Sequence, residues 1–298
     1  MSEITYNKTE SRVTWYQPVS ETFNFGKRRI GKGEPVFIIA ECGINHGGDI
    51  GVAEEMIRKA AECQASAVKF QTYVTEKRVP ADSPVFDILK QCELDETKHR
   101  RLKELAESCG IEFFSTPFDA ESVAMLEELN VPGYKIASFD IVNQSLLRSV
   151  SESRKPVICS TGMANEAEVR NAIEIFSSNL LPFALLHCVS AYPTEISDAN
   201  LRVINTLKSL YSGPVGYSDH TLGVKVPVLA AAVGAQVIEK HFTLDKNADG
   251  PDHKLSADVE DLRKMVNEIR EVEMIMGENE LTLIETERPT LVFRRPSE

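Results

Sequence analysis

The stretch Val237–Thr243, VIEKHFT, has the pattern of a short buried strand that carries two residues capable of acid–base chemistry. Side chains alternate along a strand, so Glu239 and His241 point to one face and their apolar neighbours to the other. A second stretch of this kind, Val215–Thr221 (VGYSDHT), lies just upstream and carries His220 near its end. Two histidines at the ends of consecutive strands can form half of a divalent metal site. For either histidine alone, a surface residue ending a core strand is the competing interpretation.

Outward from these two strands, the chain alternates between apolar strand-like runs and amphipathic helix-like segments. The strand-like runs lie at residues 36–42, 67–73, 112–118, 133–138, 156–161, 183–189, 214–219 and 237–243. About eight strand–helix units close a (β/α)8 barrel of about 250 residues. An open doubly wound sheet is the alternative, but no Gly-x-Gly-x-x-Gly turn follows the first strand. The sequence therefore predicts an α/β protein with a (β/α)8 TIM barrel.

The predicted barrel occupies residues 34–280, between an N-terminal arm or hairpin at residues 1–33 and a short C-terminal tail at residues 281–298. The arm lacks a clear period and ends in a basic run. It carries Trp15, Tyr16 and Phe23, whose aromatic faces suit sugar rings. We expect the arm to cover one opening of the barrel, either as a lid on the site or as a plug at the opposite, amino-terminal end.

Composition limits the classes of partner. The chain has 298 residues, of which 42% are hydrophobic and 26% charged, as in an ordinary globular domain. It lacks an apolar run of about 20 residues and an apolar centre near its start, so we expect a cytoplasmic protein without membrane contact. The net charge of −12 argues against nucleic acid as a partner but allows an anionic small molecule held by a few local lysines. The six cysteines show no paired short spacing, which favours reduced thiols.

Polar residues follow the predicted strands at the end where barrel enzymes build their active sites. Lys69 and Lys135 stand out because each lies inside an apolar strand, where an unpaired ammonium group is expensive to bury. Both lysines therefore favour an anionic ligand. The wider set of strand-end polar residues is Glu41, Lys69, Gln71, Thr116, Lys135, Ser138, Ser160, Ser190, Tyr192, Ser218, His220 and His241.

Several motifs together resemble those of the sialic acid synthase family. They run in order from about residue 35 to residue 276, a combination far more specific than any one motif. The motifs are IAECGINHGG (39–48), VKFQT (68–72), FSTPF (114–118), STGM (160–163), HCVSAYP (187–193), GYSDHT (216–221) and EKHFT (239–243).

The resemblance implies a condensation of phosphoenolpyruvate with a sugar aldehyde, N-acetylmannosamine or a related hexosamine, with release of phosphate by C–O cleavage. Lys69 and Lys135 would hold the phosphate and carboxylate of phosphoenolpyruvate. Hydroxyl groups would complete this shell, although a strand-end cap is an equally good interpretation of each one alone. The hydroxyl residues are Thr116, Ser138, Ser160 and Ser218.

The resemblance also implies a divalent ion, Mn2+ or Mg2+, bound by His220 and His241, which would act as a Lewis acid on the aldehyde oxygen. Glu41 would orient or deprotonate the water that attacks the C2 cation. A glutamate that only forms a salt bridge in the core is the alternative for Glu41.

Sugar recognition is where the pattern departs from the family. Gln71, Tyr192 and Asp252 match family sugar contacts, but Asp140 stands where many members have Glu and Ser190 where some have Asn. Family members commonly continue into a small C-terminal antifreeze-like domain that reaches the partner subunit's site. We expect a homodimer that acts without this domain; a truncated chain or one completed by another chain are the alternatives.

Two other functions share features of this sequence. A metal-dependent pyruvate aldolase would also use a barrel and histidines, but it would not need two lysines and a ring of hydroxyls for a phosphate. A catalytically inactive relative that serves as a scaffold is the non-enzyme alternative. Loss of a site lysine or histidine would be expected there, and Lys69, Lys135, His220 and His241 are all present.

Overall fold

The computed structural model describes residues 20–278 and 280–295. The strands of the described residues are β1 Thr22–Phe25, β2 Arg28–Gly31, β3 Phe37–Gly43, β4 Ala67–Thr72, β5 Glu112–Pro117, β6 Tyr134–Ile136, β7 Val157–Ser160, β8 Phe183–Cys188, β9 Val215–Asp219 and β10 Val237–His241. Eight parallel strands close into a barrel in the order β10-β3-β4-β5-β6-β7-β8-β9, which confirms the predicted (β/α)8 TIM barrel. An antiparallel hairpin of β1 and β2 precedes the barrel.

Helices follow the barrel strands and cover the outer face of the sheet. They are α1 Ile50–Glu62, α2 Thr75–Arg78, α3 Phe86–Cys92, α4 Glu96–Ser108, α5 Ala120–Glu128, α6 Gln144–Glu152, α7 Glu166–Ser178, α8 Val203–Leu210, α9 Lys225–Ala232 and α10 Val259–Met276. Short 3-10 segments lie at Ser138–Asp140, Ile196–Asp198, His253–Leu255 and Glu285–Phe293. None of the described helices is long and apolar enough to cross a membrane.

Polar side chains mark where several of these helices begin. Asp49 accepts hydrogen bonds from the backbone N–H groups of Gly51 and Val52 and so starts α1. Asn165 and Glu168 form a reciprocal capping box at the start of α7. Each cap satisfies N–H groups that have no partner within the helix, which stabilises the helix by about 1 kcal/mol. These caps place the helix starts directly after the loops that leave the carboxyl ends of the strands.

The hairpin closes the amino-terminal end of the barrel. Phe25 is fully buried, with its ring centroid 5.5 Å from that of Phe37 and 5.0 Å from that of Phe114. Phe23 and Ile30 belong to the same apolar cluster as these rings. Phe23 therefore lies opposite the carboxyl ends of the strands, because its ring is buried in the apolar lower layer of the barrel. Trp15 and Tyr16 lie outside the described residues.

The backbone approaches the hairpin closely at one glycine. A Cβ atom on Gly133, just before β6, would lie 2.4 Å from the ring of Phe25 and 2.5 Å from the carbonyl oxygen of Pro156. Glu112, at the start of β5, accepts a hydrogen bond of 2.8 Å from the backbone N–H of Lys27. The contacts show that the hairpin and the lower barrel are packed as one layer.

Truncating Phe25 tests this packing. The Phe25→Ala variant should lose about 3–5 kcal/mol of unfolding free energy, since a fully buried aromatic side chain leaves a cavity that the barrel cannot fill. Phe25→Leu, which retains most of the volume, should lose clearly less. Denaturant titration followed by circular dichroism measures both. A loss below about 1 kcal/mol for the alanine variant would mean that the hairpin does not hold the barrel end.

Candidate active site

A cavity opens at the carboxyl ends of the barrel strands and gathers most of the predicted site residues. Ser190 and Asp140 are not part of its lining. The residues that line it are Glu41, Lys69, Gln71, Arg78, Thr116, Phe118, Lys135, Ala137, Ser138, Phe139, Ser160, Cys188, Tyr192, Ser218, His220, Glu239, His241 and Asp252.

The floor of the cavity is a layer of four buried charged side chains. The ammonium group of Lys69 lies 2.7 Å from Oε2 of Glu41 and 3.8 Å from Oε2 of Glu239. The ammonium group of Lys135 lies 3.7 Å from Oε1 of Glu239. The two lysines are thus paired, and the charge of the layer is balanced by two carboxylates. Glu41 forms a salt bridge with Lys69 and also lines the cavity. This geometry is compatible both with a structural ion pair and with a role in catalysis.

The two glutamates of this layer differ in proton affinity. Burial raises the pKa of Glu41 to about 7, because the loss of solvation and the nearby Glu239 outweigh the attraction of Lys69. Burial also opposes ionisation of Glu239, but Lys135 and Lys69 beside it hold its pKa below the usual value. Glu41 is therefore the carboxyl that can exchange a proton near neutral pH, which suits a general base.

Hydroxyl groups surround the two ammonium groups. Lys69 donates to Oγ1 of Thr116 at 3.0 Å, and Lys135 donates to Oγ of Ser160 at 2.7 Å. Ser218 donates to Glu239 at 2.9 Å. Together they form a ring of donors and cations that can bind an anion carrying several oxygens.

Gly162 explains the placement of the two remaining serines. Its backbone N–H donates to Oγ of Ser138 at 3.0 Å. A Cβ atom on Gly162 would lie 2.4 Å from Oγ of Ser190 and 2.7 Å from Oγ of Ser138. Ser190 therefore lies close to Ser138 but behind the cavity lining, and within the described residues its buried hydroxyl has no hydrogen-bond partner.

Asp140 lies in the 3-10 turn that follows β6. It accepts a hydrogen bond of 3.0 Å from the side chain of Asn143, and burial raises its pKa. Because this carboxylate is turned toward Asn143, it is not part of the cavity wall.

His220 and His241 lie side by side, with ring centroids 5.3 Å apart. Nδ1 of His220 donates to the carbonyl oxygen of Val189 at 2.9 Å, which leaves Nε2 as the nitrogen with a free lone pair. Nδ1 of His241 is buried without a hydrogen-bond partner in the described structure and lies 3.7 Å from Oδ2 of Asp252. Burial and neighbouring positive groups hold the pKa of His241 well below its usual value. This neutral, unpartnered imidazole fits a metal ligand.

The described residues contain no ready-made cluster of three or more His, Cys, Asp or Glu side chains for a metal ion. An ion held by His220 and His241 alone would keep coordination positions for water or substrate. Such open positions are typical of a catalytic metal site, whereas a structural site is closed by protein ligands.

A second buried ion pair on the outer face of the strands supports the histidines. The ammonium group of Lys240 lies 2.7 Å from Oδ2 of Asp219, and both side chains are fully buried. Asp219 also accepts hydrogen bonds from the backbone N–H and the hydroxyl of Thr221, at 3.1 and 2.9 Å. Since Asp219 precedes His220 and Lys240 precedes His241, this network fixes the backbone at both histidines.

Several cavity residues have no clear signal in the sequence. Arg78 lines the cavity from the end of α2. This helix has only four residues, too few for a hydrophobic pattern that would predict it from the sequence. Phe139 and Cys188 also line the cavity. Cys188 lies within the HCVSAYP motif, but an apolar strand position there indicates only a buried thiol. Phe118 ends the FSTPF motif, and only the barrel geometry shows that it faces the cavity.

The geometry defines the class of protein: a barrel enzyme whose cavity combines an anion-binding floor with a histidine pair. The sequence profile of the NeuB family matches residues 56–281. The chain belongs to the NeuB family. The recognition of a sialic acid synthase-type enzyme from the motifs is thereby confirmed.

Two curated relatives show the range of the family. N,N'-diacetyllegionaminic acid synthase of Legionella pneumophila is 42% identical over 280 residues, which cover 88% of this chain and 79% of that protein. Human N-acetylneuraminate-9-phosphate synthase is 36% identical over 264 residues, which cover 84% of this chain and 74% of that protein. Among solved structures, N-acetylneuraminic acid synthetase of Leptospira borgpetersenii in complex with citrate aligns with a TM-score of 0.90 and 42% identity, over 93% of this chain and 97% of that one.

Breaking the outer ion pair tests its role in the fold. The Asp219→Ala variant should lose about 3–5 kcal/mol of unfolding free energy, because Lys240 is left buried without its counter-ion. Arg100→Ala, which removes an exposed helix pair with Glu96, should cost far less. Denaturant titration measures both. Equal losses in the two variants would contradict the assigned role of Asp219.

Proposed function

We propose that the protein condenses phosphoenolpyruvate with the open-chain aldehyde of a hexosamine, N-acetylmannosamine or a related sugar. C3 of phosphoenolpyruvate forms a bond to the aldehyde carbon, water adds to C2, and the C2–O bond to phosphate breaks. The products are a nonulosonic acid and inorganic phosphate. The observation that carries this proposal is the pair of buried lysines, each bonded to a hydroxyl, at the carboxyl end of a NeuB-family barrel.

The proposed binding mode places phosphoenolpyruvate on the charged floor of the cavity. Lys69 and Lys135 would pair with its phosphate and carboxylate, and the neighbouring hydroxyls would donate to its remaining oxygens. Before the substrate binds, Glu41 and Glu239 balance the charges of the two lysines. The lysines therefore avoid the desolvation penalty of unpaired buried cations. The hydroxyl residues proposed for this role are Thr116, Ser138, Ser160 and Ser218, with Ser190 behind Ser138.

Glu41 is proposed as the general base. Attack of C3 on the aldehyde leaves positive charge at C2, and water must lose a proton as it adds there. A carboxyl group with a pKa of about 7 accepts that proton when ionised and later releases it. Glu239, whose pKa is low, would stay ionised and stabilise the positive charge of the lysines and of the C2 centre.

His220 and His241 are proposed to hold a divalent ion, Mn2+ or Mg2+, and the unpartnered Nδ1 of His241 supports this assignment. The ion would supply Lewis-acid polarisation of the aldehyde oxygen. Gln71, Tyr192 and Asp252 would bind the sugar hydroxyls. Asp140 would contribute through its charge, since it is not part of the cavity wall.

We further propose that the enzyme is a homodimer, as the family resemblance implies, and that it acts in the cytoplasm. Light scattering coupled to size-exclusion chromatography tests the dimer. A mass of one 33.1 kDa chain at micromolar concentration would contradict it.

A phosphate-release screen tests the proposed activity. The purified chain would be incubated with phosphoenolpyruvate, Mn2+ and a panel of aldoses that includes N-acetylmannosamine and a diacetamidohexose. Acceptor-dependent phosphate release supports the synthase. A pyruvate aldolase would instead consume pyruvate and the aldose and would release no phosphate. An inactive scaffold would neither release phosphate nor consume pyruvate.

Neutralising the floor lysines should weaken phosphoenolpyruvate binding. In Lys69→Gln and Lys135→Gln the loss of one charge-assisted contact, about 1.5–3 kcal/mol, should raise the Kd roughly ten- to hundredfold. Isothermal titration calorimetry with phosphoenolpyruvate measures this, and Lys264→Gln, at an exposed position on α10, is the matched control. If both floor variants bind as tightly as the parent chain, the lysines do not hold phosphoenolpyruvate.

Chelation should abolish turnover, and Mn2+ should restore it. His241→Ala should lose both turnover and stoichiometric Mn2+, measured by electron paramagnetic resonance. His187→Asn is the matched histidine control. The ring of His187 donates a hydrogen bond to the carbonyl oxygen of Ala199 and does not line the cavity, so this variant should keep its Mn2+. Full turnover of the His241 variant in metal-free buffer would refute the ligand assignment.

A further inference from the structure

The outer face of α9 is apolar and exposed. The sequence of this helix, KVPVLAAA, contains one charged residue in eight. A helix that is apolar on all sides is normally buried on all sides. Leu229 on α9 is nevertheless 45% exposed, Val233 at its end 40% and Leu222 just before it 58%. The barrel covers the inner side of α9, so a further surface is needed to cover the outer side.

Other helices of the barrel carry charges on their outer faces instead. Charged pairs one helical turn apart lie on α1, α4 and α7, and these pairs are Glu54–Arg58, Glu96–Arg100 and Glu166–Arg170. Such pairs suit a helix face that stays in water. Within residues 20–278 and 280–295, no pair of this kind lies on α9. The outer face of α9 therefore favours a contact with another apolar surface.

The helix beside α9 adds a second exposed apolar group. α9 packs along α10. At the end of α10, Met274 is 77% exposed, Ile275 73% and Met276 57%. Methionine side chains are flexible and adapt to an irregular partner surface. Single exposed apolar residues are ordinary, but a group of them on two adjacent helices is typical of a protein interface.

The two parts of this surface carry opposite charges. Lys225 begins α9 and lies one helical turn before Leu229, so the two side chains share a face. Glu271 lies three and four residues before Met274 and Ile275 and shares their face of α10. Lys225 and Glu271 are both exposed, and neither forms an ion pair within the part of the chain that the structure describes.

This arrangement is self-complementary about a two-fold axis. Both α9 and α10 follow a barrel strand, so both run from the carboxyl end of the barrel toward its amino-terminal end. A two-fold axis perpendicular to the helices would place the start of α9 in one copy against the end of α10 in the other. Lys225 would then approach Glu271 of the partner subunit, and the exposed apolar side chains of the two copies would cover each other.

The charge of the chain also favours a second copy at this surface. Because each chain carries a net charge of −12, two copies repel each other unless they meet where their charges are balanced. Across residues 199–238, which include α8, β9 and α9, the only carboxylate side chain is that of Asp219. Asp219 is fully buried and paired with Lys240. At α9, an acidic second copy therefore meets a lysine and apolar groups, without an exposed carboxylate.

We propose that the outer face of α9 and α10 is the interface at which two copies of this chain form the homodimer. This inference rests on the proposed dimer and names the surface by which its two copies meet. The interface lies on the side of the barrel, so the two cavities open in opposite directions and both stay accessible to substrates.

Charge reversal across the proposed axis tests the inference. Lys225→Glu and Glu271→Lys should each raise the dissociation constant of the dimer at least about tenfold, because each reversal brings two like-charge pairs together. The double variant Lys225→Glu/Glu271→Lys restores opposite charges, so its dissociation constant should return to within about threefold of that of the parent chain. Sedimentation velocity over a concentration series measures these constants.

Leu229→Glu places a carboxylate in the apolar part of the interface and should give a monomer. Arg148→Glu is the matched control, because Arg148 is exposed on α6, across the barrel from α9. Its dissociation constant should equal that of the parent chain. Thermal melting of each variant separates a loss of association from a loss of folding.

Hydrogen exchange of the parent chain provides a test that needs no variant. Amides of α9 and of the end of α10 should exchange more slowly above the dissociation constant of the dimer than below it, because the partner covers them. Amides of α6 should not change. Protection that is confined to other helices would overturn the inference.

Unchanged dissociation constants in Lys225→Glu, Glu271→Lys and Leu229→Glu would overturn this inference alone, since the two copies would then meet elsewhere. Weakening in the single charge variants without recovery in the double variant would also overturn it. A parent chain that stays monomeric would overturn the proposed dimer, and this inference with it. Phosphate release by the parent chain tests the proposed activity separately.

Discussion

The contact on which the site depends is the buried charge layer of Lys69, Lys135, Glu41 and Glu239 inside the upper barrel. These side chains come from four different strands, so only a closed barrel brings them together. Each charge would be costly alone, and the layer is tolerated because cations and carboxylates alternate within about 4 Å. Because Glu41 has a pKa near 7, the layer can take up a proton and so adapt to an incoming anion.

The rest of the fold isolates this layer from water below and holds it rigidly from outside. Phe25 and its neighbours form a dry apolar layer beneath the charges, which keeps the interior dielectric low and strengthens every contact above it. The outer pair of Lys240 and Asp219 fixes the strand ends that carry His220 and His241. Stability and chemistry are therefore carried by opposite faces of the same strands.

The sequence predicted much of this arrangement because strand alternation and barrel closure are strong, regular constraints. The eight strands follow from apolar runs, and closure of the barrel places residues such as Lys69 and His241 at one opening. Loop residues escape such reasoning: Arg78 lies in a four-residue helix whose position depends on tertiary hydrogen bonds. Asp140 lies in the 3-10 turn after β6, where its carboxylate accepts a hydrogen bond from Asn143 and is not part of the cavity lining. The pairing of the lysines with glutamates also required the three-dimensional register.

The most direct test of the account follows the oxygen that bridges carbon and phosphorus in phosphoenolpyruvate. Phosphoenolpyruvate labelled with 18O at that bridging position would be turned over with the best acceptor, and the phosphate examined by 31P NMR. Attack of water at C2, assisted by Glu41, breaks the C–O bond and predicts that the label appears in the released phosphate. Unlabelled phosphate would mean that the P–O bond breaks. It would contradict the proposal that water attacks C2 of phosphoenolpyruvate bound on the charged floor of the cavity.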